Sequence, residues 1–153
     1  MSAYLILKWV HVLMAITALG ANITYGFWLA RAGRDPAHLA FTLKGVKFLD
    51  DRVANPAYGL LLLTGLATAG VGRIPFTTPW LQLGIVLYVI LVVIAAAGYT
   101  PTLRRQIEAL QAGGANSPEF QRLAGRATGL GIALTVIAVL IVFVMVTKPS
   151  LWG

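Results

Sequence analysis

Lys8 to Trp28 reads KWVHVLMAITALGANITYGFW. No charged residue occurs from Trp9 to Ala30. Apolar residues cover every side of the helix this stretch would form, not a single stripe. Such a helix is buried in a large core or lies in a membrane. The chain has 153 residues, 58% of them apolar and 11% charged. Soluble domains carry roughly a quarter charged residues, so water cannot be the solvent on all sides. There are no cysteines, which excludes a disulfide framework and thiolate metal sites.

Three more stretches lack charge for about the 20 residues that a bilayer crossing needs. They are Val53 to Gly72, fenced by Arg52 and Arg73, then Ile74 to Leu103, then Ala127 to Thr147. The runs are continuously apolar and do not alternate with period two, so helices are expected and a barrel is not. The expectation is an all-α, four-helix transmembrane bundle in one integral membrane domain, residues 1–153. Its spans are expected at about 4–30, 53–72, 80–103 and 126–147. The late basic residue and long apolar run argue that span one stays in place and is not cleaved as a signal peptide.

Charge placement predicts orientation. Arg31, Arg34, Lys44, Lys47 and Arg52 fall between spans one and two, and Arg104, Arg105, Arg122 and Arg126 between spans three and four. Only Lys8, Arg73 and Lys148 fall at the other ends. The positive-inside rule then puts loops one and three in the cytoplasm and both termini outside, in the cell's inner (cytoplasmic) membrane. The net charge of +7 is thereby a topology signal with attraction to anionic lipid, and no nucleic-acid partner is expected. Trp9, Trp80 and Trp152 at the outer interface and Trp28 at the inner one fit an aromatic belt.

Within loop one, RDPAHLAFTLKGVKFLDD predicts a cytoplasmic amphipathic helix before span two. Asp35 stands at its N-cap and Pro36 at the first position. Leu39, Leu43, Val46 and Leu49 recur at helical spacing. Asn55-Pro56 predicts a kink or break. The pair Gly113-Gly114 closes the extension of span three, and Ser117-Pro118 starts the last helix.

Few residues offer chemistry. At 100° per residue, Ala15, Ala18, Asn22 and Tyr25 lie within about 40° of His11 round the helix. Polar groups turned to lipid cost several kcal/mol, so this face points into the bundle. His11 is read either as a packing residue bonded to a threonine or carbonyl of span two, with Thr64 and Thr68 at its depth, or as a ligand. In the second reading it binds haem b, with Met145 at a similar level as second axial ligand. His38 falls at the far side of the membrane. An inner polar cluster is expected from Asn22, Tyr25, Asp50, Arg52 and Arg126, as an ion-pair collar or a proton entry point. Gly125 and Gly129 have the GxxxG spacing of close helix packing, within the bundle or between copies. No phosphate-binding loop, nucleophile–base pair or metal-ligand set is evident.

The motifs LKWVHVLMAITALG, LDDRVANPAYGLLLLTGL, LYVILVVIAAAGYTPTLRRQ and VMVTKPSLWG resemble an uncharacterised family of predicted integral membrane proteins, domain of unknown function 2269. The likeness spans nearly the whole chain and implies a four-helix membrane bundle with no assigned activity. More distantly, the layout is similar to the copper-resistance D membrane domain and to HemJ-type protoporphyrinogen oxidases, which bind haem. The shared elements are Lys8 and His11, Pro56, and Trp80-Leu81. The lysine that HemJ-type enzymes carry after the Trp-Leu pair is missing from WLQLGIVLY, which argues against the oxidase activity.

Three functions follow. The first is a non-catalytic accessory or oligomerising membrane bundle, with the bilayer, its own copies or a larger membrane complex as partners. The second is a haem- or porphyrin-binding redox protein using His11. The third is small-solute, metal or proton transport by an oligomer.

Overall fold

The computed structural model describes residues 2–150. Trp152, assigned above to the outer belt, lies outside the described residues. The chain forms four long helical rods, and no strand occurs among the described residues. The first rod is α1, Ala3–Ala32. The second joins α2, Pro36–Leu49, to α3, Asn55–Val71, through one π-helical turn, Asp50–Ala54. The third joins α4, Pro79–Ile94, to α5, Thr100–Gly113, through a second π turn, Ala95–Tyr99. The fourth is α6, Pro118–Thr147.

The rod ends follow local chemistry. Ser2 accepts a hydrogen bond from the Leu5 N–H at 3.4 Å, and Ser117 one from the Phe120 N–H at 3.3 Å with Pro118 behind it. These hydroxyls satisfy donors that the first turn leaves orphaned. Gly114, at φ 76°, ends α5 in a conformation costly for other residues. Asp35 precedes α2 without capping it. Its carboxylate pairs with His38 Nδ1 at 2.7 Å instead.

Asn55-Pro56 does not break the helix, contrary to the expectation of a stop. Proline lacks an N–H, and its ring clashes with the carbonyl four residues back. Here a π turn stands immediately before each proline pair, Asn55-Pro56 and Thr100-Pro101. The Asn55 N–H reaches the Asp50 carbonyl, and the Thr100 N–H the Ala95 carbonyl. One extra residue in the turn moves the obstructing carbonyls aside, and the rod runs on.

Packing centres on α1 and α6, which touch each other. On α1 lies α3, and on α6 lie α4 and α5. The outer pair barely meets. Among the described residues no Cα of α3 comes within 8 Å of an α4 Cα. The Tyr88 hydroxyl crosses this gap and donates to the Tyr58 carbonyl at 2.7 Å. The buried residues of α1 are Ala18, Tyr25 and Ala32. The large apolar side chains face outward, with Ile16 64%, Phe27 74% and Val146 76% exposed. The solvent for such a surface is lipid.

Three rods, Ala3–Ala32, Pro79–Gly113 and Pro118–Thr147, are long and apolar enough to cross a bilayer. α3 has 17 residues by itself and gains length from its continuity with α2. Leu39, Leu43 and Val46 of α2 are buried against the bundle, while Leu49 is 42% exposed. α2 packs on α1 and α5. Its stripe is therefore covered by protein.

The rods alternate in direction, so the two segments rich in charged residues share one end. Lys148 Nζ lies 5.4 Å from the Trp80 ring centre, and the Tyr4 ring covers Gly72. These contacts join the start of α1 to the end of α3, and the start of α4 to the end of α6.

Candidate functional site

His11 sits on the inward face of α1. Its Nδ1 lies 2.9 Å from the Leu61 carbonyl oxygen of α3, to which it donates, and 3.4 Å from the Thr64 hydroxyl. The Thr64 hydroxyl spends its own proton on the Leu60 carbonyl at 2.6 Å, and Thr68 bonds the Thr64 carbonyl at 2.6 Å. The imidazole occupies the notch over Gly65. A Cβ on that glycine would come within 2.8 Å of His11 Cε1. Small residues let helices approach closely, and here glycine makes room for a ring. Met145 fills a similar notch elsewhere. A Cβ on Gly84 of α4 would collide with its Cε. His11 and Met145 thus pack on different helices.

Toward the basic end, Asn22 of α1 donates its amide to the Tyr58 hydroxyl of α3. Tyr25 is 3% exposed and Asp50 5% exposed. The Asp50 carboxylate accepts from the Thr100 hydroxyl at 3.3 Å and shares a neighbourhood with Tyr25, Tyr58 and Tyr99. The two π turns supply this meeting. Asp50 opens one and Tyr99 closes the other. Burial holds the Asp50 carboxyl above the usual carboxylate range, and the nearby Lys47 ammonium opposes that effect. Arg52 and Arg126 are exposed, and neither is ion-paired among the described residues. The structure groups Asn22, Tyr25 and Asp50 and sets both arginines apart from them. Lys47 pairs with Asp51 instead.

Beside this cluster lies a cavity of about 500 Å³, walled by α1, α5 and α6 and reaching the start of α2. Asn22, Tyr25, Tyr99 and Gln106 line it, and no charged residue does. Gln106 is 5% exposed. The Tyr25 hydroxyl and Gln106 Oε1 are buried without a hydrogen-bond partner. A second gap, between α3 and α4, is lined by Tyr58, Tyr88 and Thr100 among others. Sequence reasoning had no place for Tyr58 or Gln106 in a site. The signal available for Gln106 was a neutral polar residue amid the Arg- and Glu-bearing surface of α5, one turn after the buried Leu103.

A family described as predicted integral membrane protein, DUF2269, matches residues 5–149. The chain belongs to this family. As a DUF2269 protein it is an integral membrane protein, and the outward apolar faces of its rods agree with that. No curated protein and no solved structure matches the chain. The family match is to DUF2269, and no likeness to the copper-resistance D or HemJ-type families is shown.

Haem is a poor fit to this DUF2269 bundle. The His11 ring lies against the α3 backbone, and the Met145 methyl against α4. Neither the α1–α5–α6 cavity nor the α3–α4 gap is lined by His11 or Met145. A porphyrin between them would have to part α1 from α3. His11 Nε2 has no hydrogen-bond partner among the described residues, and its ring packs over the Gly65 backbone.

Proposed function

We propose that this protein is a non-catalytic membrane bundle that acts as an accessory or self-associating subunit. His11 and Asn22 serve as interhelical locks. The observation that carries this reading is the seating of His11 over Gly65, with Nδ1 committed to the Leu61 carbonyl. The most chemically capable side chain of the membrane interior is spent on holding α1 to α3. The free face of α6 adds support. Gly125 and Gly129 are exposed, and a Cβ on either would meet nothing within 4 Å. Their GxxxG ridge is open to a neighbouring helix in the bilayer. In this reading the rods span the cytoplasmic membrane, the termini lie outside, and α2 and α5 project from the inner face.

The test is the assembly state of the purified protein in mild detergent, by light scattering and blue native electrophoresis. A complex larger than one chain, or a stable co-purifying membrane partner, is expected. Gly125→Leu with Gly129→Leu should disrupt it while leaving the thermal melt intact. A monomer that captures nothing sinks the proposal. A Soret band that vanishes in His11→Ala would replace it with the haem reading.

A further inference from the structure

We infer that the cavity between α1, α5 and α6 binds a neutral amphiphile whose head carries a hydroxyl group. Four observations converge on it. The volume of about 500 Å³ lies within the range of small-molecule sites. Tyr25 and Gln106, each more than nine-tenths buried, line the cavity, and the Tyr25 hydroxyl and Gln106 Oε1 lack partners among the described residues. Each such atom, left dry, bears its full desolvation penalty. The lining holds no charged residue, so nothing offsets the desolvation of an ionic head. The rim carries the exposed side chains of Ile23, Ile132 and Val136 on the flank between α1 and α6, and of Pro36, Asn116 and Gln121 at the loop end, so an amphiphile finds an apolar border on one side of the mouth and a polar one on the other.

These features define the ligand's chemistry. Gln106 Oε1 accepts only, so the head must bring a hydrogen-bond donor, which a hydroxyl supplies without charge. The Tyr25 hydroxyl donates to a second oxygen of the head, such as an ester carbonyl or a ring oxygen. The apolar body leaves through the mouth into lipid. A monoacylglycerol and an isoprenoid-type quinol share this chemistry. The site goes beyond the scaffold reading. Its test measures lipid binding and not assembly, so either idea can fail alone.

The experiment is native mass spectrometry of the full chain in mild detergent, titrated separately with monoolein, decylubiquinol and phosphatidylglycerol. At least one neutral ligand should bind about tenfold more tightly than the anionic lipid, and which one does so identifies the source. Tyr25→Phe, which removes one hydroxyl at constant shape, should weaken that binding about five- to tenfold. Gly26→Leu should abolish it by filling the mouth. Gly26 lines the cavity, and a Cβ there meets nothing within 4 Å, so this variant tests the site even if Tyr25→Phe misfolds. The inference is overturned if phosphatidylglycerol binds as tightly as both neutral ligands. Failure of both neutral ligands to bind, or binding unchanged in both variants, overturns it equally.

Discussion

At His11 the energetics are those of a buried polar group in a tight seam. Removing the imidazole strands the notch over Gly65 and deletes the bond to the Leu61 carbonyl. That carbonyl retains its place in the α3 ladder, which limits the loss. His11→Ala should lower stability by about 1–3 kcal/mol, read as thermal unfolding in detergent. Gly65→Leu should do similar harm from the other side, because its Cβ collides with the ring. Equal melts for all three proteins would refute the lock. The inward direction of His11 follows from 100° per residue. That its receptor is a glycine depends on the relative height of two rods, which no local pattern encodes.

Asp50 carries the pH dependence. Its neighbours are Lys47, Asp51, Thr100 and Asn55, and desolvation raises its folded pKa above the ordinary 3.8. Below that value both states hold the proton and Asp50 has no effect. As pH rises, the unfolded chain releases the proton first, so the folded state binds more protons than the unfolded one. Stability then falls with rising pH, from near 3.8 up to the folded pKa. Melts taken across pH 4 to 7 should show this slope, and Asp50→Asn should flatten it. An unaltered slope would place the responsible group elsewhere. The grouping of Asp50 with Tyr25 and Asn22 was legible from its place in the stripe of Leu43 and Val46. The arginines were assigned by level alone. Level does not say on which side of a helix a long side chain lies.

At the scale of elements, the two π turns are the devices that shape the interior. Each accommodates a proline and turns one polar residue, Asp50 or Tyr99, inward. Removing Val53 from the first turn restores α periodicity but returns Pro56 to its clash, at about 3 kcal/mol. Combining that deletion with Pro56→Ala should recover most of this loss. The measurement is a double-mutant cycle on thermal or denaturant unfolding. Additive behaviour of the two changes would show that the turn is not there to seat the proline. The proline marked the position of the irregularity in the sequence. Its form did not follow, because a kink, a break and a π turn all relieve the same missing N–H. Packing of Leu39, Leu43 and Val46 on one side and of α3 on the other selects the turn that keeps both halves seated.

For the whole molecule, the proposed orientation yields a direct prediction. Since the chain has no cysteine, single replacements report cleanly. Thr77→Cys, in the loop before α4, should react with an impermeant maleimide added outside cells. Ala112→Cys, near the end of α5, should react only after the membrane is opened. The reverse pattern would invert the topology and set aside the positive-inside assignment.

The sequence by itself determined the solvent, the helical class and the segregation of charge. Those depend on composition and on runs of residues within one helix. Tertiary structure decided which rods touch. It paired α1 with α6 at the centre and held α3 and α4 apart, bridged by Tyr88. It also left a cavity beside which the unpartnered polar atoms come from α1 and α5. These outcomes depend on notch depth and rod height at Gly65, Gly84 and the π turns. An apolar helix surface looks alike to lipid and to another helix, so only the packed arrangement distinguishes the face that meets protein from the face that meets the membrane.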